Sequence, residues 1–187
     1  MSEARGESFT VRPATLDDAL EIVDLRNACA VERTGKPATS AQAIRGMMEM
    51  PGLDLKTDTL LARGQQGQLA GLALVQVNPP NPLIFALSEV HPRYWRTDIG
   101  ATLCRWIEER ARLSIPDLDG GARIALLQHR LSTDSAGREL LLGEVYRVVR
   151  HNFRMVVELE GQPSTASIPD GITIRPFVRD QEGRALI

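Results

Sequence analysis

The sequence predicts an α/β fold, and three observations carry that prediction. Stretches of strand periodicity alternate with stretches of helical periodicity along most of the chain. A nearly continuous apolar run, LIFALSEV (83–90), feeds a tight turn and then an amphipathic helix. Clusters of Gly, Pro and Asn fall between these pieces rather than inside them.

In chain order, FTVRPA (9–14) alternates apolar and polar residues, and Pro13 closes its pairing, so it reads as a strand. Thr15 with Asp17 and Asp18 supplies a cap and first-turn acids for a helix carrying Ala19, Ile22, Val23, Leu25 and Cys29 at helical spacing. TGKPATS (34–40) ends it, and Ser40 caps a second helix through Met50, stopped by Pro51 and Gly52. TLLARG (59–64) and LAGLALVQV (69–77) form a hairpin with Gly67 in its turn, and LIFALSEV follows as the expected central strand. Leu103, Trp106, Ile107 and Arg110 mark the next helix, which ends near Ser114 to Pro116. ARIALLQHRL (122–131) reads as a strand, STDSAGRELLLGEV (132–145) as a capped helix and YRVVRHNFRMVVELE (146–160) as a long or bulged strand.

Composition narrows the function. The 187 residues suit one domain plus a remainder. With 22 basic and 24 acidic residues the formal charge is −2, so nothing marks a nucleic-acid or anionic-membrane partner. The start, MSEARGESFT, lacks a signal-peptide core. No apolar run approaches the length of a membrane span, roughly 20 residues. Together these predict a cytoplasmic chain. Cys29 and Cys104 sit in helical patterns without metal spacing and read as buried reduced thiols. His129 and His151 have no companion ligands, so no metal site is expected. Arg105, Arg110 and Arg112, interleaved with Glu108 and Glu109, read as a solvated helix face.

The chemistry concentrates in SEVHPRYWRTDIGATLCRWIEERAR (88–112). A strand end, a turn and a helix start leave unpaired N–H groups at the positive end of the helix dipole, an arrangement that binds phosphate. Past Glu160, GQPSTASIPDG (161–171) reads as a linker. Beyond it Thr173, Ile174, Arg175 and Pro176 echo Thr10, Val11, Arg12 and Pro13, and Asp180 echoes Asp17, so residues 172–187 read as the opening of a second copy of the same domain.

The element order, with Val90, His91, Pro92 and Tyr94 followed by Ile99, Gly100 and Leu103, resembles the GNAT superfamily of acyl-CoA-dependent N-acyltransferases. Within it the arrangement is similar to the tandem-domain branch that includes the mycothiol synthases. The resemblance covers residues 8–160. It implies a mixed, mainly antiparallel sheet of six or seven strands with helices on both faces. It further implies acetyl-CoA as cosubstrate, an acyl thioester lying against backbone near Val90, and the coenzyme pyrophosphate on Arg96, Thr97, Asp98, Ile99, Gly100 and Ala101. Glu89 is the nearest candidate for the base that takes the amine proton. Strand alternation puts it opposite Ser88 and Val90, which leaves open whether it reaches the cleft. His91 reads as positional, and Trp95 as a plug of the turn or a surface for a ligand ring.

The turn also departs from its family. Trp95 stands where a basic or amide residue is usual, and Asp98 where the first glycine is usual. A carboxylate ~4 Å from a phosphate costs on the order of 4 kcal/mol at an effective dielectric of ~20, unless Arg96 offsets it or Asp98 turns outward and caps the helix. The tyrosine that often protonates the leaving thiolate falls on Leu141, and Val145 replaces a usual glycine. The expected activity is therefore transfer of an acetyl group from acetyl-CoA to a primary amine of a small molecule or peptide. The alternative is a catalytically degenerate GNAT domain serving as the structural or regulatory half of a tandem protein. A third expectation is that residues 171–187 pair with another chain to give a homodimer.

Overall fold

The computed structural model describes residues 8–118, 121, 123–144, 146–153, 155–159, 161 and 167–176. The chain divides into two compact units, Met1–Val148 and Val149–Ile187. In the first, strand β1 (Thr10–Arg12) leads through a 3-10 turn (Leu16–Asp18) into helix α1 (Ala19–Thr34), then α2 (Ala41–Met48) and a single turn, α3 (Leu55–Asp58). Strands β2 (Thr59–Arg63), β3 (Leu69–Gln76) and β4 (Leu83–Val90) follow as a meander. A second 3-10 turn (Pro92–Tyr94), α4 (Ile99–Leu113) and α5 (Ile115–Leu118) lead to β5 (Ala125–Gln128) and α6 (Ser135–Gly143).

The sheet is mixed, in the order β1-β2-β3-β4-β5. The first three pairings are antiparallel and β4–β5 is parallel, which requires the crossover that α4 supplies. Among the described residues five strands form, fewer than the six or seven expected. β3, buried along all of its length except Gln76, holds the middle, and β4 stands next to the β5 edge rather than at the centre. The segment 146–160 was expected to be a strand, yet none of its described residues is in one. Phe153, Met155, Val156 and Val157 are exposed there. β-branched and aromatic residues favour a pleated ladder only where a backbone partner completes it.

Helices cover both faces. Strand alternation sends Leu60 and Ala62 of β2 beneath α4, where Ile99, Leu103, Ile107 and Ala111 meet them. Leu61 points the other way, to Ala19, Ile22, Leu25, Cys29 and the Ile44–Met48 face of α2. Each fully buried Leu or Ile contributes ~1.5–3 kcal/mol relative to exposure, so α1 and α4 are held by these stripes. The hairpin closes as expected. Gly67, at φ 79°, donates to Gly64 O at 2.9 Å, and glycine carries that positive φ at no steric cost. Ser40 Oγ accepts from Ala43 N at 3.3 Å and so caps α2.

Two polar devices fasten the start of the chain and α4. Asp18 is buried and accepts from Arg12 at 2.5 and 2.8 Å, from Arg63 at 2.9 Å and from Thr15 N at 2.8 Å. The Arg12 hydrogen bonds, with those from Thr15, hold the Asp18 carboxyl far below the usual carboxylate range. Arg110, expected on a solvated face, instead pairs with buried Asp58 at 2.6 Å and donates to Ser114 Oγ at 2.5 Å, tying α4 to α3. Arg112 keeps the expected solvated role, with an i,i+4 pair to Glu108 at 3.0 Å.

In the second unit, residues 149–153, 155–159, 161 and 167–176 are described, without helix or strand. A turn there puts Ile172 N 3.2 Å from Pro169 O. Arg175 Nη1 donates to Pro176 O at 3.4 Å, as Arg12 Nη1 does to Pro13 O at 2.8 Å. Val145, the residues 162–166 of the expected linker, and Asp180 with the rest of 177–187 lie outside the described residues.

Two substitutions test this account. Asp18→Asn leaves Arg12 and Arg63 without their shared carboxylate and is expected to cost about 3 kcal/mol in denaturant unfolding near neutral pH. A lowered folded pKa stabilises above the unfolded value, so the wild-type advantage is full above about pH 4 and shrinks below it, where the unfolded chain takes up its proton first. At Gly71 a Cβ would lie 2.9 Å from Ile99 and 3.0 Å from Leu103 side-chain carbons and 3.3 Å from Glu89 O. Gly71→Ala is therefore expected to cost about 1–3 kcal/mol by pushing α4 off the sheet.

Candidate active site

β4 and β5 pair from Leu83↔Ala125 to Ala86↔Gln128 and no further. β5 ends at Gln128, so beyond Ala86 the β5-facing edge of Leu87 to Val90 has no ladder partner. A cleft of about 40 Å³ lies there, lined by Arg33, Ser88, Val90, Trp95, Thr97, Gly100, Arg130 and residues of α6. It runs from the end of β4 to the first turn of α4, so one depression joins an open strand edge to a helix N-terminus.

Of the expected coenzyme residues, Val90, Thr97 and Gly100 line this cleft, whereas Arg96, Asp98, Ile99 and Ala101 do not. Arg96 and Asp98 are exposed, and Ile99 and Gly100 are buried. Asp98 takes the N-cap position of α4 in αR conformation, and its carboxylate makes no capping bond. It is exposed, yet it does not cap the helix, so the expected outward-and-capping arrangement is met only in its first half. Thr97 Oγ1 donates to Tyr94 O at 2.8 Å and accepts from Ile99 N at 3.5 Å. The first-turn N–H groups of Gly100 and Ala101 meet no acceptor among the described residues. They keep the donor capacity an anion needs. Gly100 has a packing role as well, because a Cβ there would lie 2.8 Å from Leu140 Cδ2 on α6.

The turn itself is tightly folded. His91 caps the 3-10 turn, its Nδ1 accepting from Arg93 N at 3.2 Å. Burial, followed by the Arg93 charge, lowers its pKa. It is positional, as expected. Trp95 is the plug: its Nε1 donates to Val90 O at 2.8 Å. The Cys29 thiol donates to the same carbonyl at 3.2 Å. Burial pushes that thiol up to about 12, so it stays protonated and unreactive. Both cysteines are buried and free, as the sequence indicated.

Glu89 is buried and faces α1, where its Oε2 lies 2.8 Å from Arg33 Nη1, whereas Ser88 and Val90 line the cleft. Arg33 Nη2 also reaches Asp134 Oδ2, the α6 cap, at 3.0 Å. Burial opposes the Arg33 charge, and the two carboxylates more than reverse that, so its pKa rises. Arg130, two residues past the end of β5, donates to Ser88 O at 2.5 Å and to Ser88 Oγ, while Ser88 Oγ donates to Gln128 Oε1 at 2.9 Å. Leu141 is buried in α6, a packing residue. Tyr146, just past α6, buries its hydroxyl beside Gln128, and that burial pushes it up to about 12.

Sequence reasoning missed Arg33, Arg130, Asp134 and Tyr146. Their spacing carries no motif, since α1, β5 and α6 bring them together only in three dimensions. One signal was available: a glutamate inside the apolar run 83–90 has to find a partner when buried. Among the described residues no group of three or more His, Cys, Asp or Glu could hold a metal ion, and no helix is long and apolar enough to cross a membrane.

Comparison with known proteins agrees with this geometry. The chain is 31% identical over 137 residues to a mycothiol acetyltransferase of Saccharopolyspora erythraea, covering 69% of this chain and 42% of that protein. Its fold matches the crystal structure of a GCN5-related N-acetyltransferase from Sphaerobacter thermophilus with a TM-score of 0.74 and 25% identity, over 95% of this chain and 56% of that one. The chain belongs to the GNAT superfamily. A further GNAT-like fold is yncA of Salmonella typhimurium, solved with its cofactor acetyl-CoA: TM-score 0.58, 16% identity, 76% of this chain and 81% of that one. No protein-family model matches the chain. It spans about half the length of the curated relatives it matches, 42% and 47%.

The GNAT cleft of this chain depends on the Arg33 pairs, whose removal leaves a buried cation half-compensated. Glu89→Ala is expected to lower unfolding stability by about 3 kcal/mol, with Arg33→Met in the same background recovering part of the loss. A double-mutant cycle by urea unfolding reads both terms.

Proposed function

We propose that this chain binds an acyl-coenzyme A at the β4–α4 turn and supports acyl transfer to a primary amine. One observation carries the reading: the first turn of α4, at Gly100, lines a cleft whose other wall is the unpaired end of β4. The pyrophosphate would take the N–H groups of Gly100 and Ala101 with Thr97 and Ile99 beside them, and Arg96 would lie over it. The thioester would lie against the backbone at Val90. That requires Trp95 to leave the Val90 carbonyl, because the cleft of about 40 Å³ beside it is far smaller than a pantetheine arm. Catalysis would then rest on proximity and on backbone polarisation of the thioester. Glu89 can accept the amine proton only by exchanging its Arg33 contact for the substrate, directly or through a water.

Trp95 over Val90, the Arg33-paired Glu89 and Leu141 favour a second reading, a catalytically silent GNAT half working beside another domain. The Thr173–Pro176 echo of Thr10–Pro13, with its repeated arginine-to-proline carbonyl contact, supports the tandem arrangement.

Calorimetry with acetyl-CoA and CoA separates these readings. Micromolar to low-millimolar binding is expected, and no binding of either at millimolar concentration sinks the acyltransfer reading. Asp98 is exposed. Its repulsion of the pyrophosphate is therefore nearer ~1 kcal/mol, the water-like value at ~4 Å. Asp98→Asn should tighten CoA about fivefold at low salt, with the gain fading at about 1 M salt. The silent reading instead expects no binding by wild type and recovery by Asp98→Gly with Trp95→Arg.

A further inference from the structure

Two largely buried arginines, Arg33 and Arg130, and two buried carboxylates, Glu89 and Asp134, meet at the cleft, and the carboxylates lie closer to Arg33. Arg33 takes both nearby carboxylates, at 2.8 and 3.0 Å. Arg130, whose side chain is only 11% exposed, has no carboxylate oxygen nearer than 4.0 Å among the described residues; its Nη groups rest on Ser88 O, Ser88 Oγ and Gln128 Oε1, all neutral. The Nε–H groups of both Arg33 and Arg130 are buried without any acceptor among the described residues, and the Arg33 side chain is 10% exposed. Both arginines line the same cleft. Among the described residues the one ion pair of Arg130 is the long contact to Asp134 at 4.0 Å, so its guanidinium lies beside a space large enough for several atoms without a close charge-assisted partner. Other features of the molecule carry less. The groove at Glu21, Asp24, His91 and Tyr94 holds no buried unpartnered group among the described residues, and nothing identifies a partner for the exposed apolar residues 153–157.

We propose that Arg130, backed by Arg33, receives a carboxylate in the cleft beside Val90. The carboxylate completes the arginine's hydrogen bonding and supplies the counter-charge that Asp134, 4.0 Å away, leaves incomplete. An unsubstituted acetyl group would bring neither. The carboxylate belongs to one of two molecules: a dicarboxylic acyl group, bearing its second acid at the far end from the thioester, or an acceptor that carries both an amine and an acid. Naming those two sources rests on the acyltransfer reading; the carboxylate site itself does not.

The test uses the intact chain, with acetate and succinate as probes against their neutral amides, acetamide and succinamide, at ionic strength held constant with chloride. Trp95 lines the cleft, so in a Trp106→Phe background its fluorescence reports occupancy. The carboxylates are expected to saturate the signal at concentrations at least tenfold below the amides. Arg130→Gln should erase that preference and Arg130→Lys keep part of it. Equal response to acids and amides in the wild-type cleft overturns the proposal without any variant, as does an acid preference that survives Arg130→Gln in a folded protein; the cleft then holds solvent only and Arg130 is a brace. Coenzyme arms assign the source. Succinyl-CoA binding at least tenfold tighter than acetyl-CoA, and displacing succinate, places the acid on the acyl group. Succinate and acetyl-CoA binding together place it on the acceptor. If neither coenzyme binds, the acyltransfer reading fails while the acid–amide comparison still decides the carboxylate site.

Discussion

Everything specific about this molecule follows from β4 losing its β5 partner after Ala86. A parallel pair can end in mid-strand only if the freed N–H and C=O groups find other partners, since a buried backbone group left alone costs as much as a lost hydrogen bond. Here Arg130 takes Ser88 O, and Trp95 and Cys29 take Val90 O. The split edge is thus filled by three side chains from β5's far end, the turn and α1. Each of them occupies a hydrogen-bonding position on the unpaired edge of the strand.

That substitution explains why the turn keeps GNAT architecture while departing from the superfamily's usual residues. Architecture is set by packing: Gly71 lets Ile99 and Leu103 come onto the sheet, and Gly100 lets α4 approach Leu140 on α6. Those contacts fix where the first turn of α4 points whatever occupies positions 95 and 98. Trp95 is neutral and large, so it closes the cleft and satisfies the carbonyl at once. Asp98, exposed and without a capping bond, neither builds nor breaks the helix end. Its effect on an anion is long-range and screened, which makes the aspartate a smaller obstacle than the indole.

The fold was largely legible because its signals are local. The hairpin at Gly67, the Ser40 cap and the Leu83–Val90 strand follow from turn chemistry and hydrophobic period, and the observed elements match them closely. What was not legible depends on distance in sequence. LIFALSEV looked central because a continuous apolar run suggests cover on both faces. Yet Phe85, Ala86 and Leu87 are only half-buried, and the strand lies one place in from the β5 edge. Residues 146–160 have strand composition, but propensity does not supply a neighbouring edge. Arg110 resembled its solvated neighbours Arg105 and Arg112 until α3 placed Asp58 beside it. The arginines of the cleft were invisible for the same reason: Arg33 sits among exposed residues at the end of an amphipathic helix, and Arg130 follows a strand that gives no sign of where it ends.

The buried charges also say something about how rigid the cleft is. Arg33 joins α1 to β4 through Glu89 and to α6 through Asp134, and Asp134 is at the same time the cap of α6, accepting from Gly137 N at 2.9 Å. A shift of α6 away from the sheet would lengthen the Arg33–Asp134 contact and strain the cap together, so α6 cannot open the cleft cheaply. The Trp95 indole makes one hydrogen bond and packs against the α4 side of the core, and its carbonyl partner has a second donor in Cys29 that remains when the indole leaves. Removing the indole therefore leaves no orphaned acceptor, and the turn, not the helix, is the wall that can move. Any ligand that enters beside Val90 does so by displacing Trp95 against a fixed floor of Arg33, Arg130 and Ser88, which means the charge it meets is set before it arrives.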